Sequence, residues 1–179
     1  EAELPKRYVS FSSCFRRESG SYGKDTKGIF RVHQFDKVEM FSFTTPEQSD
    51  AEHEFLLGIE ERFLQQLGIA YQVVKMCIGD LGIPAARKYD LEAWFPAEGR
   101  YRELTSASTC TDWQARRLNI RYRPKQGKGT AFVHMLNGTA WSMNRPICAI
   151  LENFQQADGS VVVPEVLRAM VGSDRIAPR

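Results

Sequence analysis

The chain reads Cys14-Phe15-Arg16-Arg17-Glu18-Ser19-Gly20 near its start and, thirteen residues after Glu18, Arg31-Val32-His33-Gln34-Phe35. Apolar and polar side chains alternate in both stretches. This pattern predicts strands at residues 8–18 and 30–43, joined by a polar, glycine-containing loop at residues 19–28. The period of two places Arg16 and Glu18 together on one face of the first strand. On one face of the second strand it places Arg31, His33, Phe35, Lys37 and Glu39.

Paired as an antiparallel hairpin, the two strands would present arginines, carboxylates and an aromatic ring on a single surface. Such a surface suits a nucleotide, because guanidinium groups bind phosphate in a forked geometry and a ring can stack on a base. The carboxylates could bind an amine or a metal ion. Taken alone, however, Arg16 and Glu18 are more simply interpreted as a cross-strand ion pair on a solvated sheet face.

The rest of the chain predicts hairpins followed by strand–helix units. A helix begins near Pro46, carries apolar residues at helical spacing from Phe55 to Leu67, and ends at Gly68. Further strands are predicted at residues 70–78, 89–95, 101–109 and 131–142, and further helices at residues 112–118 and 146–156. Because strands and helices do not alternate regularly, the predicted class is α+β, an antiparallel sheet flanked by helices. One domain is expected over residues 1–179.

The amino-acid composition argues against nucleic-acid binding through overall charge, against a membrane-spanning helix and against a zinc site. Of the 179 residues, 42% are hydrophobic and 26% are charged, and the formal net charge of +2 gives no overall attraction to nucleic acid. No apolar run approaches the roughly 20 residues of a membrane-spanning helix. The four cysteines are widely spaced, which predicts free thiols in a reducing cytoplasm and argues against a zinc site; they are Cys14, Cys77, Cys110 and Cys148.

Three blocks, in order along the chain, resemble a known family. Phe15-Arg16-Arg17-Glu18 resembles motif 2 of the class II aminoacyl-tRNA synthetases, and together with residues 28–39 it resembles the seryl-tRNA synthetases in particular. The second block runs from Arg102-Glu103-Leu104-Thr105-Ser106 into residues 111–117. The third, Leu136-Asn137-Gly138-Thr139-Ala140 with Arg145, resembles motif 3. The likeness covers residues 8–168 and implies the class II catalytic fold, with motif 2 within residues 8–43 and motif 3 within residues 131–156.

The resemblance implies the activity of a serine-tRNA ligase: ATP activates L-serine as seryl-adenylate, and the seryl group passes to serine tRNA. It also implies a homodimer for the full-length protein. The family's tRNA-binding helical hairpin, its motif 1 and its Thr-x-Glu segment have no counterpart in the chain. We therefore expect a C-terminal portion of the catalytic core with little charging activity alone. Two other classes stay open: a related ligase that charges a non-tRNA acceptor, and a non-catalytic synthetase-like regulatory module.

The resemblance further implies roles for single residues. Arg16 and Arg145 would be the catalytic pair that brackets the triphosphate, with Arg16 on the α-phosphate. Phe35 would stack on the adenine, and Glu18 would meet the adenine end. The full ATP-binding set is Arg16, Arg17, Glu18, Arg31, Val32, His33, Gln34, Phe35, Glu103, Leu104, Thr105, Ser106 and Arg145, in which Arg17 has a minor role and His33 is expected in solvent or in a polar contact.

A second set is implied to bind serine. Glu39 would pair with the amino group of serine and Thr139 with its hydroxyl, with Asn137 beside them. The small Gly138 would let the backbone approach a ligand closely. Arg145 precedes Pro146 and therefore lies at a helix N-terminus, where the helix dipole favours an anion. A phosphate partner explains a cation at that position.

Glu103 and Ser106 are implied to hold Mg²⁺ together with ATP, which suits a cation that prefers oxygen ligands. Strand parity, however, places the two residues on opposite faces of their strand. The metal hypothesis therefore predicts a bulge or a strand end between them.

Overall fold

The computed structural model describes residues 1–18 and 28–178, so the predicted loop at residues 19–28 lies outside the described part, apart from Gly28. The regular elements of that part are β1 (Lys6–Phe15), β2 (Gln34–Thr44), α1 (Ser49–Leu67), β3 (Tyr71–Lys75), β4 (Arg87–Phe95), β5 (Arg100–Thr109), α2 (Trp113–Leu118), β6 (Arg121–Tyr122), β7 (Ala131–Phe132), β8 (His134–Ser142), α3 (Asn144–Phe154), β9 (Val161–Val162), α4 (Glu165–Val171) and β10 (Arg175–Ile176). Short 3₁₀ turns occupy Pro46–Gln48 and Ile78–Asp80.

Six strands form one sheet in the order β1-β2-β8-β5-β4-β3. Every neighbouring pair in this order is antiparallel. The predicted α+β class, with an antiparallel sheet and flanking helices, is therefore confirmed. Strand β8 comes from the third sequence block, yet it lies between β2 and β5. This crossover brings the three blocks together at the centre of the sheet.

Helices α1 and α3 cover the same side of the sheet, which we call the helix face. Their buried residues Leu57, Leu64 and Ala149 pack in one cluster with Leu91 and Phe95 of β4. Helix α1 ends at Gly68, where a φ of 71° lets the backbone N–H reach the carbonyls of Gln65 and Leu64. The opposite side, which we call the open face, carries Lys37 of β2, Glu103 and Ser106 of β5 and Thr139 of β8.

Several element bounds differ from the predicted ones. Strand β1 ends at Phe15, and residue 18 has a φ of 52°, so simple strand alternation does not extend to Glu18. Strand β2 begins at Gln34, so Arg31 and His33 precede it. The predicted strand 131–142 is divided at Val133, which separates β7 from β8, and helix α3 begins two residues earlier than predicted, at Asn144.

The four cysteines are free thiols, as their spacing predicted. Cys110 is buried, and burial raises the pKa of its thiol. Within residues 1–18 and 28–178, no helix combines the length and the hydropathy that crossing a bilayer requires.

Candidate nucleotide site on the open face

A cleft opens on the open face, where β2, β5, β8 and the residues that follow β1 meet the start of α3. Its empty space, counted out into open solvent, is about 620 Å³. The cleft is lined by every residue of the predicted ATP set except Arg17, His33 and Gln34. Thr139 of the predicted serine set lines it too, together with Phe30, Lys37, Ser142 and Asn144, which the sequence did not single out as site residues.

The register of the β1–β2 hairpin positions the first arginine. Cys14 lies opposite Phe35, and beyond the end of β1 the backbone N–H of Arg16 donates to the carbonyl of His33 at 2.9 Å. The Arg16 guanidinium consequently lies over the Phe35 ring, 5.2 Å from its centroid. An exposed cation beside an aromatic ring offers one group for a phosphate and another for a base.

Glu18 and Arg31 face each other although neither lies in a strand. Arg31 Nη1 donates to Glu18 Oε2 at 2.6 Å. This hydrogen bond, together with the charges of Arg31, Arg16 and Arg145, holds the pKa of Glu18 below its usual range. The left-handed backbone at Glu18 aims the carboxylate into the cleft, a geometry that period two cannot predict.

Strand β5 contains the irregularity that the metal hypothesis requires. Thr105 pairs with Leu91, and Glu103 pairs with Glu92, so Leu104 is an extra residue with no partner opposite it in β4. This bulge reverses the alternation of side chains. Glu103 and Ser106 therefore both line the cleft.

Glu103 is surrounded by cations. Arg145 Nη1 lies 3.1 Å from Glu103 Oε2 and donates to the Glu103 carbonyl oxygen at 2.9 Å. Lys88 Nζ lies 4.0 Å from Glu103 Oε1 and 2.8 Å from Asp90 Oδ1. Asp90, opposite Ser106, is largely buried, and this burial raises the pKa of its carboxyl group against the opposing hydrogen bond from Lys88.

Phe30 supports the second arginine of the cleft. The Arg145 guanidinium lies 4.7 Å from the centroid of the Phe30 ring, and that of Arg102 lies 3.8 Å from it. The ring also meets Phe95 edge to face, with the centroids 5.5 Å apart. Sequence reasoning missed this role, although an aromatic residue directly before Arg31 was a signal that could have indicated it.

The three residues predicted to bind serine form one hydrogen-bonded cluster. Glu39 accepts from Asn137 Nδ2 at 3.0 Å through Oε1, and from Thr139 Oγ1 at 3.2 Å through Oε2. A second irregularity, between Val38 and Glu39, shifts the β2–β8 register so that Glu39 lies opposite Thr139. Lys37 Nζ lies 2.8 Å from Glu39 Oε2 and completes the cluster.

Three predicted ATP residues lie outside the cleft lining. Arg17, His33 and Gln34 are exposed. Arg17 follows Arg16 beyond the end of β1, and its minor role stays a prediction. The Nδ1 atom of His33 lies 3.1 Å from the Arg16 carbonyl oxygen, a polar contact of the kind expected for this residue.

The donor set around Glu103 suits one class of metal ion. Within the described residues, no group of three or more histidine, cysteine, aspartate or glutamate side chains could hold a metal. Mg²⁺ does not need such a group, because it commonly takes one or two carboxylates and completes its shell with phosphate oxygens and water. Glu103 and Ser106, on one face through the β5 bulge, therefore fit Mg²⁺ bound together with a nucleotide.

The class of protein follows from the fold, the cleft and one comparison. The family model of the tRNA synthetase class II core domain (G, H, P, S and T) matches residues 1–154. The chain belongs to this family.

The individual proteins that the chain resembles are named for one amino acid, serine, whereas the family model covers several. The serine–tRNA ligase of Acidothermus cellulolyticus is 59% identical over 178 residues, which cover 99% of this chain and 42% of that protein. The crystal structure of seryl-tRNA synthetase from Pyrococcus horikoshii complexed with ATP superimposes with a TM-score of 0.96 and 53% identity, covering 99% of this chain and 40% of that one. The crystal structure of cytoplasmic serine-tRNA ligase from Naegleria fowleri in complex with AMP superimposes with a TM-score of 0.92 and 49% identity. The match covers 99% of this chain and 42% of that one. The chain thus spans 40–42% of the length of these three relatives.

Proposed function

We propose that the protein of which these residues form part is a serine-tRNA ligase, which makes seryl-adenylate from L-serine and ATP and transfers the seryl group to serine tRNA. The observation that supports the proposal most strongly is that the predicted serine-binding cluster and the nucleotide cleft lie side by side on the open face of the sheet. The Glu39–Asn137–Thr139 cluster borders a cleft that contains Arg16, Glu103 and Arg145. Relatives that are 49–59% identical are serine–tRNA ligases, two of them solved with ATP or AMP.

In the first step the serine carboxylate attacks the α-phosphorus of ATP. A bond from the carboxylate oxygen to phosphorus forms, and the bond from phosphorus to the bridging oxygen breaks, so pyrophosphate leaves with the electron pair. Negative charge is spread over the phosphate oxygens in the transition state. Arg16 on the α-phosphate and Arg145 on the distal phosphates stabilise that charge without forming a covalent bond.

In the second step a ribose hydroxyl at the end of the tRNA attacks the seryl carbonyl carbon. The ester bond to tRNA forms as the bond from the carbonyl carbon to the phosphate oxygen breaks, AMP leaves with the electron pair, and the hydroxyl proton is released to solvent. In both steps the protein orients the reactants and supplies charge, and no protein nucleophile is required.

Mg²⁺ is the cation we assign to Glu103 and Ser106, and when bound it would neutralise phosphate charge. Arg145 and Lys88 balance the Glu103 carboxylate when no cation is present. Phe30 holds the Arg145 guanidinium beside the phosphate positions through its ring face. Of the other predicted ATP residues, Phe35 stacks on the adenine and Glu18 meets its outer end.

Serine selection is assigned to the polar cluster. Glu39 binds the ammonium group of serine, and Thr139 offers a hydroxyl to the serine side chain. Both groups already hold each other at hydrogen-bond distance, which keeps them oriented for a small polar ligand. Alanine keeps the ammonium group for Glu39 but lacks the hydroxyl, so Thr139 would lose its contact with the substrate.

The remaining assignments follow the family. We assign one domain to residues 1–179, with motif 2 in about residues 8–43 and motif 3 in about residues 131–156, a C-terminal portion of the catalytic core. The full-length protein would act as a cytoplasmic homodimer.

Pyrophosphate exchange tests the proposal. The protein, expressed at the full length of its gene, should incorporate labelled pyrophosphate into ATP with serine and not with alanine or glycine, and should then charge serine tRNA. Serine-dependent exchange without tRNA charging would indicate a ligase for another acceptor. Absence of exchange with every amino acid would contradict the proposal and favour a non-catalytic module.

A further inference from the structure

A carboxyl group in α1 lies behind the site and has no part in the reaction above. Glu60 is 1% exposed and packs on the helix face of the sheet. Its Oε2 accepts a hydrogen bond from Thr105 Oγ1 at 2.8 Å, whereas its Oε1 has no hydrogen-bond partner among the described residues. A buried carboxyl group with one hydrogen bond costs stability compared with an apolar residue, so packing alone does not account for a glutamate here.

The first contact of Glu60 is with the bulged segment of β5. Thr105 directly follows the extra residue Leu104 and lines the cleft beside Glu103 and Ser106, while its hydroxyl donates to Glu60 of α1. A bulge disrupts the ladder and bends the strand, so the segment needs another contact to hold one geometry. The hydrogen bond from Thr105 to Glu60 supplies this contact at one of the two residues between Glu103 and Ser106, the groups assigned to Mg²⁺.

The second contact is with β8. A β-carbon built on Gly138 would lie 2.7 Å from Glu60 Oε1, closer than real β-carbon contacts. The φ of Gly138 is not positive, so its backbone conformation does not demand glycine. Glycine is required because the Glu60 side chain occupies the space that a β-carbon at this position would need. Gly138 lies between Asn137 and Thr139, so Glu60 touches the serine-binding strand from behind.

We propose that Glu60 is a positioning residue that fixes the Glu103–Ser106 segment and the Asn137–Thr139 segment relative to each other. One oxygen reaches β5 and the other reaches β8, which an aliphatic side chain of similar length could not reproduce. The identity of the substrates rests on the proposed function, whereas the two contacts do not.

The kinetic experiment compares three variants of the full-length protein in serine-dependent pyrophosphate exchange. Glu60→Leu keeps the volume but leaves the buried Thr105 hydroxyl without its acceptor, and should raise KM for ATP roughly tenfold, more than it lowers kcat. Glu60→Gln keeps the acceptor and should restore KM to near the wild-type value. Glu61→Leu, the same change one residue along α1, should leave both constants unchanged. A Glu60→Leu variant that is less heat-stable but has the wild-type KM would overturn the proposal.

A second experiment needs no enzymatic activity. Gly138→Ala should lower the unfolding temperature in the wild-type background, because the new methyl group meets Glu60 Oε1. In a Glu60→Ala background the same change should cost much less. Equal losses in both backgrounds would overturn the contact, even if exchange activity is normal. If the wild-type protein shows no exchange activity but Gly138→Ala costs less in the Glu60→Ala background, the contact stands and the proposed function is refuted.

Should Glu60→Leu not fold, Thr105→Val removes the same hydrogen bond from the other side and should raise KM for ATP likewise.

Discussion

Arg145 and Glu103 form an ion pair across the floor of the cleft, with Nη1 3.1 Å from Oε2, and the same Nη1 also donates to the Glu103 carbonyl oxygen. Each residue is assigned a different ligand in the proposed reaction: phosphate for the arginine and Mg²⁺ for the glutamate. The ion pair therefore neutralises both charges until the phosphates bind Arg145 and Mg²⁺ binds Glu103. Binding of ATP without the cation should be weaker, because Glu103 would exchange its Arg145 partner for phosphate charge and, among its described cationic partners, keep only Lys88, at 4.0 Å.

Replacing Arg145 by alanine should lower the exchange rate by roughly 10²–10³-fold, because a charge-assisted contact to the transition state is lost. The fold should persist with a modest loss of stability, since a cation in the first turn of α3 opposes the helix dipole, although Arg145 also contacts Glu103 and Phe30. Arg62→Ala, at an exposed position of α1, is the matched control and should keep full activity. Exchange by Arg145→Ala at the rate of the control would remove Arg145 from the mechanism.

Glu103→Gln should raise the Mg²⁺ concentration that gives half-maximal exchange, because the amide is a much weaker ligand for a hard cation than a carboxylate. Glu92 lies directly opposite Glu103 in β4 and bonds to Gln72, so Glu92→Gln is a control with the same chemistry on the same face. A magnesium titration of both variants measures the difference. If the two titrations coincide with that of the wild type, the cation is held elsewhere.

Thr139→Val should abolish activation of serine while ATP still binds, because valine has the shape of threonine without its hydroxyl. A site built around a substrate hydroxyl rejects the analogue lacking it by roughly 10⁴–10⁵. The wild type should therefore discriminate against alanine to a similar degree. Thr139→Ser restores the hydroxyl and should recover much of the activity. The ratio of kcat/KM for serine and alanine is the quantity to compare, and a wild-type ratio in Thr139→Val would refute the assignment.

The pH dependence of stability should reveal Glu60. Burial raises the pKa of its carboxyl to about 8, against an opposing hydrogen bond from Thr105, and the carboxylates of Glu39 on β2 and Asp90 on β4 add to the rise. Between pH 4.5, the usual pKa, and about pH 8 the folded state keeps a proton that the unfolded state has lost. Stability therefore falls as the pH rises through this interval, by up to about 1.4 kcal/mol per pH unit.

Glu60→Gln cannot lose this proton, so its stability relative to wild type should grow from about pH 4.5 to about pH 8 and then level off. The free energy of unfolding of both proteins is measured by chemical denaturation across this pH range. The difference between the two values removes the contributions of the titrating groups that they share. A constant difference between the two proteins would show that Glu60 ionises normally in the fold.

Side-chain alternation predicted the hairpin, and the order of strands and helices predicted the class of the fold. The resemblance to a family implied most of the residues that line the cleft, but not Phe30, Lys37, Ser142 and Asn144. Side-chain alternation could not place Glu103 and Ser106 together, since a bulge breaks the period of two on which strand prediction rests. The same limit applies to the shift beside Glu39 and to the left-handed backbone at Glu18.

Glu60 lay outside sequence reasoning for another reason. Its position in α1 falls within an amphipathic helix where a glutamate is unremarkable, and only the packing of α1 on β5 and β8 buries it. Phe30 was missed similarly, because its two cation contacts come from residues 102 and 145, far away along the chain.

The most direct test of the proposed site is a co-crystal structure of the full-length protein with a non-hydrolysable seryl-adenylate analogue. The adenine should lie on the Phe35 ring, the phosphate surrogate beside Arg16, and the seryl hydroxyl and ammonium groups against Thr139 and Glu39. An analogue bound elsewhere, or bound in the cleft with its seryl group away from Thr139, would contradict the proposed site.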